Sequence, residues 1–314
     1  MHMAYFPLLK NLPPSFDVLI PFYQFDNELV KEIGLLQKIV YYFDEKIFLV
    51  EKLSQKPIWA QDWWADTKLY PIENKSAVIK LLKTNPIFGH YCSSEDSKFA
   101  KSILKDLKNL DKKRIKQDSA FKFNYFSWTI KKNNLLICEK PFSRYPSGWH
   151  EFIEDKTFPP NRAYLKLWEL FTVHQLPTNK NEIAIDLGSS PGGWSWVLSQ
   201  YFKTVYSVDK AKLDMKINKI TNIEYCQGDA FKVSTDDFKD CSWLFSDIIC
   251  TPMKTYDLIM HWMKNSNIKN YVCTIKFKGD CDFDIIKKLL MIPDSKIIHL
   301  YQNKNEVTWI RLLP

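Results

Sequence analysis

The sequence predicts an α/β protein. A doubly wound, mostly parallel sheet that ends on an antiparallel strand occupies the C-terminal half, and a smaller, basic α+β domain precedes it. Three observations carry this prediction. From Ile183 onward, short apolar runs alternate with helical stretches at the spacing of strand–helix–strand units. Five of only eight glycines, Gly188, Gly192, Gly193, Gly228 and Gly279, fall in that half beside strand ends. The charge is uneven: residues 1–150 hold 23 Lys+Arg against 16 Asp+Glu (+7), and residues 151–314 hold 21 against 20 (+1).

In the C-terminal half Ile183–Leu187 reads as the first strand and Trp194–Tyr201 as the helix after it. Thr204–Val208, Ile223–Cys226 and Trp243–Phe245 follow as strands. Met253–Lys264 reads as a helix, Tyr271–Ile275 as a fifth strand and Phe283–Met291 as a helix. Ile297–Tyr301 and Val307–Leu312 close the chain as strands joined by a short link, a hairpin that sets one antiparallel strand into the sheet. The domain boundaries expected are 1–125 for the basic domain, 126–155 for a proline-punctuated linker and 156–314 for the sheet domain.

In the first 125 residues Phe16–Phe22 and Ile47–Leu53 read as strands. Lys98–Lys116 reads as an amphipathic helix with lysines at 98, 101, 105, 108, 112 and 116 opposite Ile103, Leu104, Leu107 and Leu110. That stripe is either a solvated face or a surface for RNA. The basic excess fits a polyanion such as RNA, although 40 of the 44 basic residues are lysine, which composition alone can produce. Trp59, Trp63 and Trp64 sit at a spacing typical of core, with base stacking as the alternative.

Composition narrows the class. At 314 residues with 46% hydrophobic and 25% charged residues, the chain has the makeup of a folded globular protein. No apolar run reaches the roughly 18 residues a membrane helix needs, and Met1–Ile20 lacks the apolar core of a secretory leader. Seven scattered cysteines without a C-x-x-C pair read as reduced thiols of a cytoplasmic protein. Six dispersed histidines argue against a metal site built by the protein.

The chemistry centres on Asp186-Leu187-Gly188-Ser189-Ser190-Pro191-Gly192-Gly193-Trp194, where a strand ends, a glycine-rich turn follows and a helix begins. The spacing is neither the dinucleotide G-x-G-x-x-G nor a P-loop. Asp209 ends the second strand, in position to accept hydrogen bonds from both hydroxyls of a ribose. Asp229 follows the third strand, where it can meet an adenine amino group, and Asp247 follows the fourth. Four acids, Asp186 included, at the ends of successive strands line one crevice and point to a nucleoside cofactor.

These residues resemble the FtsJ-type RNA 2′-O-methyltransferases. Asp186–Trp194 is similar to that family's cofactor loop, Asn161-Arg162-Ala163-Tyr164-Leu165-Lys166-Leu167 to its S-R-A-x-x-K-L helix, Ser246-Asp247 to its S-D element, Ile275-Lys276-Phe277 to its V-K strand end, and Asn305-Glu306-Val307 to its R-E-V element. Val205–Asp209, Asp229–Lys232, Ser242-Trp243 and Glu306-Val307-Thr308 are most like the branch acting on bacterial large-subunit (23S) rRNA. The likeness covers about residues 156–314. It implies a Rossmann-like methyltransferase sheet and the cofactor S-adenosylmethionine, held by Gly188, Ser190, Pro191, Gly192, Gly193, Trp194, Asp209, Asp229 and Asp247. It also implies an RNA partner, 23S rRNA or a precursor, and a THUMP-type RNA-binding domain ahead of the sheet domain.

The resemblance also supplies a catalytic tetrad, Lys166, Asp247, Lys276 and Glu306. A ribose 2′-hydroxyl is a poor nucleophile until a positioned base takes its proton. Lys276 is the candidate base, Lys166 a neighbouring cation, Asp247 the group that orients Lys276, and Glu306 the group that holds Lys166. Singly each has a plainer reading; Lys166, for instance, could pair with Glu169 one turn on. The element that should begin with Ser begins with Asn161, and Thr251-Pro252 follows Asp247 where the family has an Asn-containing turn. The same tetrad serves mRNA-cap 2′-O-methyltransferases, and a cofactor- and RNA-binding protein without turnover is the alternative of another class.

Overall fold

The computed structural model describes residues 12–44, 46–85, 87–93, 98–119 and 124–313. Residues 1–11, part of the stretch read for a leader, lie outside the described residues. The chain divides into two compact units, residues 1–115 with 121–151, and residues 116–120 with 152–314. Among the described residues no helix is long and apolar enough to cross a membrane.

The first unit is built on strands β1 (Phe16–Pro21), β2 (Val40–Phe43), β3 (Phe48–Val50), β4 (Ala60–Pro71), β5 (Phe88–Tyr91), β6 (Tyr125–Lys131) and β7 (Asn134–Cys138), with helices α1 (Asp26–Leu35), α2 (Lys75–Leu82) and α3 (Lys98–Leu104). Their order in the sheet is β2-β3-β1-β4-β7-β6-β5. The twelve-residue β4 is the spine: its first part pairs with β1 and its last four residues with β7. This is the expected α+β domain with three corrections.

The strand expected over Ile47–Leu53 is confined to Phe48–Val50. Residues 126–155, expected as a linker, instead supply β6 and β7. Their apolar runs are buried along nearly their whole length, and Lys132 and Asn133, both at positive φ, turn them into a hairpin. The prolines signalling a linker begin only after β7. The helix expected over Lys98–Lys116 stops at Leu104. Beyond it the chain runs beside the edge strand β5, where Gly89 N–H donates to Lys108 O (3.0 Å) and Leu110 N–H to Gly89 O (2.8 Å). An open sheet edge therefore recruits the backbone that helical periodicity claims, and the six lysines do not form one helical stripe. Trp59 and Trp64 are fully buried, as core spacing predicted.

The second unit holds α4 (Tyr164–Thr172), β8 (Ile183–Leu187), α5 (Gly193–Leu198), β9 (Thr204–Asp209), β10 (Ile223–Gln227), β11 (Trp243–Ser246), α6 (Pro252–Asn265), β12 (Asn270–Lys276), α7 (Phe283–Leu290), β13 (Ser295–Ile298) and β14 (Glu306–Arg311). The sheet order is β10-β9-β8-β11-β12-β14-β13; β14 runs antiparallel to both neighbours and the other pairings are parallel. This is the predicted doubly wound sheet with its C-terminal hairpin. The strand expected over Ile297–Tyr301 ends at Ile298, because Leu300–Asn305 turns to reverse the chain into β14. The strand order reverses between β8 and β11, which opens a crevice at their C-terminal ends.

Candidate active site

The crevice floor is built where the loops after β8 and β11 touch. Gly188 has φ +75°, and a Cβ there would lie 2.3 Å from Ile248 Cγ1, so only glycine lets the two loops close on each other. Gly193 opens α5 with its Cα against Asn161, where a Cβ would fall 2.3 Å from the amide oxygen. Asn161 in turn accepts from Ala163 N–H (3.1 Å), so the residue that departs from the family's serine is the one that seats this turn against the start of α4. Trp194 is buried and donates its indole N–H to Ala163 O (2.9 Å); its ring belongs to the core and clamps α5 to α4.

The expected cofactor residues occupy the rest of the turn. Ser190 donates its N–H to Asp209 Oδ2 (3.0 Å) and its hydroxyl to Lys212 O (3.0 Å); Pro191 O accepts from Asp214 N–H (3.0 Å); Gly192, at φ +109°, accepts from Trp196 N–H (2.9 Å). Asp209 also accepts from Ala211 N–H through Oδ1 (2.8 Å), so each carboxylate oxygen holds one backbone N–H and keeps acceptor capacity for a pair of hydroxyls. Asp229 accepts from Phe231 N–H (3.1 Å) and lies 2.9 Å from Lys210 Nζ; the ammonium holds its carboxyl below the usual range. The Ser189 hydroxyl is buried with no hydrogen-bond partner among the described residues. An orphaned donor and two acids with spare lone pairs fit a polar, nucleoside-like ligand.

Asp186 corrects the picture of four acids in a row. It lies inside β8, almost fully buried, and accepts from Ser195 Oγ (2.6 Å), which itself receives the Ser207 hydroxyl (2.8 Å). Burial pushes its carboxyl up to about 7. The acid stands behind the loop, where strand alternation turns it inward.

The four tetrad residues converge from four elements. Lys166, on α4, places Nζ 2.6 Å from Glu306 Oε1, and 3.0 and 3.1 Å from the two oxygens of Asp247. Lys276, the last residue of β12, places Nζ 3.0 Å from Asp247 Oδ1 and donates to Asp247 O at 2.7 Å. Lys166 and Glu306 are each 7% exposed, and the Lys276 and Asp247 side chains 20% and 16%. The cluster is sunk into the crevice with Lys276 nearest solvent. Lys278 is exposed and makes none of these contacts.

Sequence reasoning missed two partners. Glu169, offered as a rival partner for Lys166, points elsewhere: it is buried and accepts from Tyr301 N–H (2.8 Å) and Gln302 N–H (3.4 Å) in the turn before β14. Its spacing from Lys166 was the available signal, but spacing alone cannot say which partner wins. Lys210, beside Asp209 in the chain, was unremarked and is the partner of Asp229.

Residues 159–287 match the model of the FtsJ-like methyltransferase family. The second unit carries an FtsJ-like methyltransferase domain. The ribosomal RNA large subunit methyltransferase M of Aggregatibacter aphrophilus is 28% identical over 203 residues, 58% of this chain and 56% of that protein. Its namesake in Haemophilus ducreyi is 32% identical over 165 residues, 48% of this chain and 46% of that protein. The chain thus spans about half the length of the curated relatives it matches. A solved rRNA methylase from Streptococcus thermophilus superposes with a TM-score of 0.33 at 12% identity, over 44% of this chain and 91% of its own. In this FtsJ-like domain the matched stretch includes the turn, Lys166, Asp247 and Lys276. Glu306 lies beyond it and joins the site through the β12–β14 pairing.

Proposed function

We propose that this chain transfers a methyl group from S-adenosylmethionine to a ribose 2′-hydroxyl of RNA, with large-subunit (23S) ribosomal RNA or its precursor as substrate. The observation that carries the reading is the chain of contacts at the crevice of an FtsJ-like domain, with Lys166 2.6–3.1 Å from Glu306 and Asp247 and Lys276 3.0 Å from Asp247. The relatives named as large-subunit rRNA methyltransferases support the substrate class. That substrate carries with it a cytoplasmic place of work.

Asp209 would receive the ribose hydroxyls of the cofactor, Asp229 its adenine amino group, and the Gly188–Gly193 backbone would lie along it. S-adenosylmethionine, when bound, supplies a methyl group on a positively charged sulfur. The chain's own task is then alignment and deprotonation. Lys276 donates to Asp247 O, and its Nζ lies 3.0 Å from Asp247 Oδ1. A neutral amine has two N–H bonds and one lone pair, so with one hydrogen given to the Asp247 carbonyl the lone pair can turn toward a substrate hydroxyl. That lone pair is the acceptor for the 2′-hydroxyl proton. Lys166 donates to both oxygens of the same Asp247 carboxylate and so fixes the acid that faces Lys276. Glu306 balances the Lys166 charge.

The test is methyl transfer from labelled cofactor to large-subunit rRNA, followed by mapping of the 2′-O-methyl position. Transfer to a ribose by the wild type, lost in Lys276→Ala, supports the reading. Methylation of a base, or none of any rRNA, overturns it.

A further inference from the structure

With the lysine stripe broken at Leu104, the first unit's basic excess needs another focus. Phe142 is 59% exposed, the most exposed phenylalanine among the described residues. Such a ring on a flexible loop would be unremarkable, but this one is held in place. Its N–H donates to Trp63 O (2.9 Å), the next N–H, of Ser143, donates to the buried Asp62 carboxylate (2.9 Å), and the Tyr125 hydroxyl shares its one hydrogen between the carbonyls of Ser143 (2.8 Å) and Tyr145 (2.7 Å). Its ring lies 5.8 Å from that of Trp63, itself fixed by donation of its indole N–H to the buried Asp17 (2.8 Å).

Two residues to either side, Lys140 and Arg144 are exposed, and neither forms an ion pair among the described residues, while neighbouring Glu139 is engaged by Lys68 at 2.6 Å. An ordered aromatic face between two uncommitted cations matches an unpaired nucleotide, with a base to stack and phosphates to either side. Charge complementarity with a polyanion also agrees with the +7 balance of residues 1–150.

We infer that Lys140, Phe142 and Arg144, backed by Trp63, form a stacking platform on the first unit that captures an unpaired nucleotide of RNA. This rests on the reading of the chain as acting on RNA, and assigns the grip on a single-stranded segment to residues outside the methyltransferase domain. The ordered backbone means that little entropy is lost when the base lands.

The experiment uses the full chain and a labelled unstructured RNA oligonucleotide, with a fully paired duplex of the same length as comparison, across a salt titration. Phe142→Ala should weaken single-strand binding about 5- to 100-fold at an unchanged salt slope and leave duplex binding alone, and Phe142→Trp should retain affinity. Lys140→Ala and Arg144→Ala should each flatten the salt slope by about 0.7. Equal single-strand affinity in Phe142→Ala and wild type overturns the platform, as does a wild type that does not bind the oligonucleotide. Loss of self-association in Phe142→Ala with RNA affinity intact overturns it in favour of a second copy of the chain. A wild type that binds RNA through Phe142 yet transfers no methyl group leaves the platform standing and removes the proposed function.

Discussion

Lys276 and Glu306 are direct partners across the antiparallel β12–β14 ladder. Residues opposite one another in such a pair project to the same face of the sheet. One register therefore delivers two of the four tetrad groups together, and a slip of one residue would remove Glu306 from that face. The other two arrive independently, Asp247 from the loop after β11 and Lys166 from the buried helix α4. The C-terminal hairpin is thus part of the site.

Lys276→Ala should lower the rate of methyl transfer about 10²- to 10⁴-fold while cofactor affinity stays within a few-fold. Lys276→Arg should be nearly as slow, since a guanidinium does not give up its proton to become a base. Lys278→Ala is the control, because strand alternation puts 278 on the same side while the structure leaves it in solvent. Single-turnover transfer decides this: full activity in Lys276→Ala removes the lysine base.

Lys166 stands between two carboxylates. Replacing it with Met should leave the buried Glu306 without its cation, while Asp247 keeps Lys276, and destabilise the fold by about 3 kcal/mol. Adding Glu306→Gln should recover much of that loss without restoring activity. Thermal unfolding of the single and double variants checks it; additive losses would show that the pair is not coupled.

The second unit was legible because its signals are local. The β8–β12 runs are short, apolar and punctuated, and the glycine turn and strand-end acids fall where strands stop. What the sequence hid was choice among partners. Lys166 has Glu169 at helical spacing and Asp247 and Glu306 far away in sequence; the distant acids win because α4 is buried against the sheet ends. Periodicity at Lys98–Lys116 likewise could not register that an unpaired edge strand competes for the same backbone. In β6 and β7 the apolar runs were plain, but the prolines that follow them suggested a linker too early.

Glu169 secures the turn that leads into Glu306 by accepting two of its backbone N–H groups. Glu169→Gln turns an amide donor toward one of those donors. Turnover should drop about 10- to 100-fold through misplacement of Glu306, with cofactor affinity unchanged. Glu169→Asp, which keeps the charge but shortens the reach, should sit between. A variant with wild-type turnover would reduce Glu169 to a structural anchor.

Asp229 should anchor the cofactor's base. Asp229→Ala removes a charge-assisted acceptor worth about 1–3 kcal/mol, so binding of S-adenosylmethionine and of its demethylated product should weaken together by roughly 5- to 150-fold. Calorimetry with both ligands measures this. Equal affinity in a folded variant would show that the base lies elsewhere.

The buried Asp186 predicts a pH dependence of stability. Its carboxyl moves from an ordinary 3.8 up to about 7, chiefly through burial. Between those values the folded chain keeps a proton that the unfolded chain has released. Stability through this group is therefore full at low pH and falls as pH rises toward 7, by up to about 1.4 kcal/mol per pH unit, then levels off. Asp186→Asn keeps an oxygen to accept from Ser195 and carries no titrating proton, so it should lack that slope. Measured as the difference between variant and wild type, the variant should gain about 3 kcal/mol on going from about pH 5 to pH 8. His90 in the first unit, pushed down to about 4 by burial, works in the opposite sense, but it is common to both proteins and cancels in the difference. Chemical unfolding at both pH values, followed through the second unit's tryptophans, gives the number. A difference that does not change with pH would mean that Asp186 titrates normally and that the hydroxyls of Ser195 and Ser207 fully offset its burial.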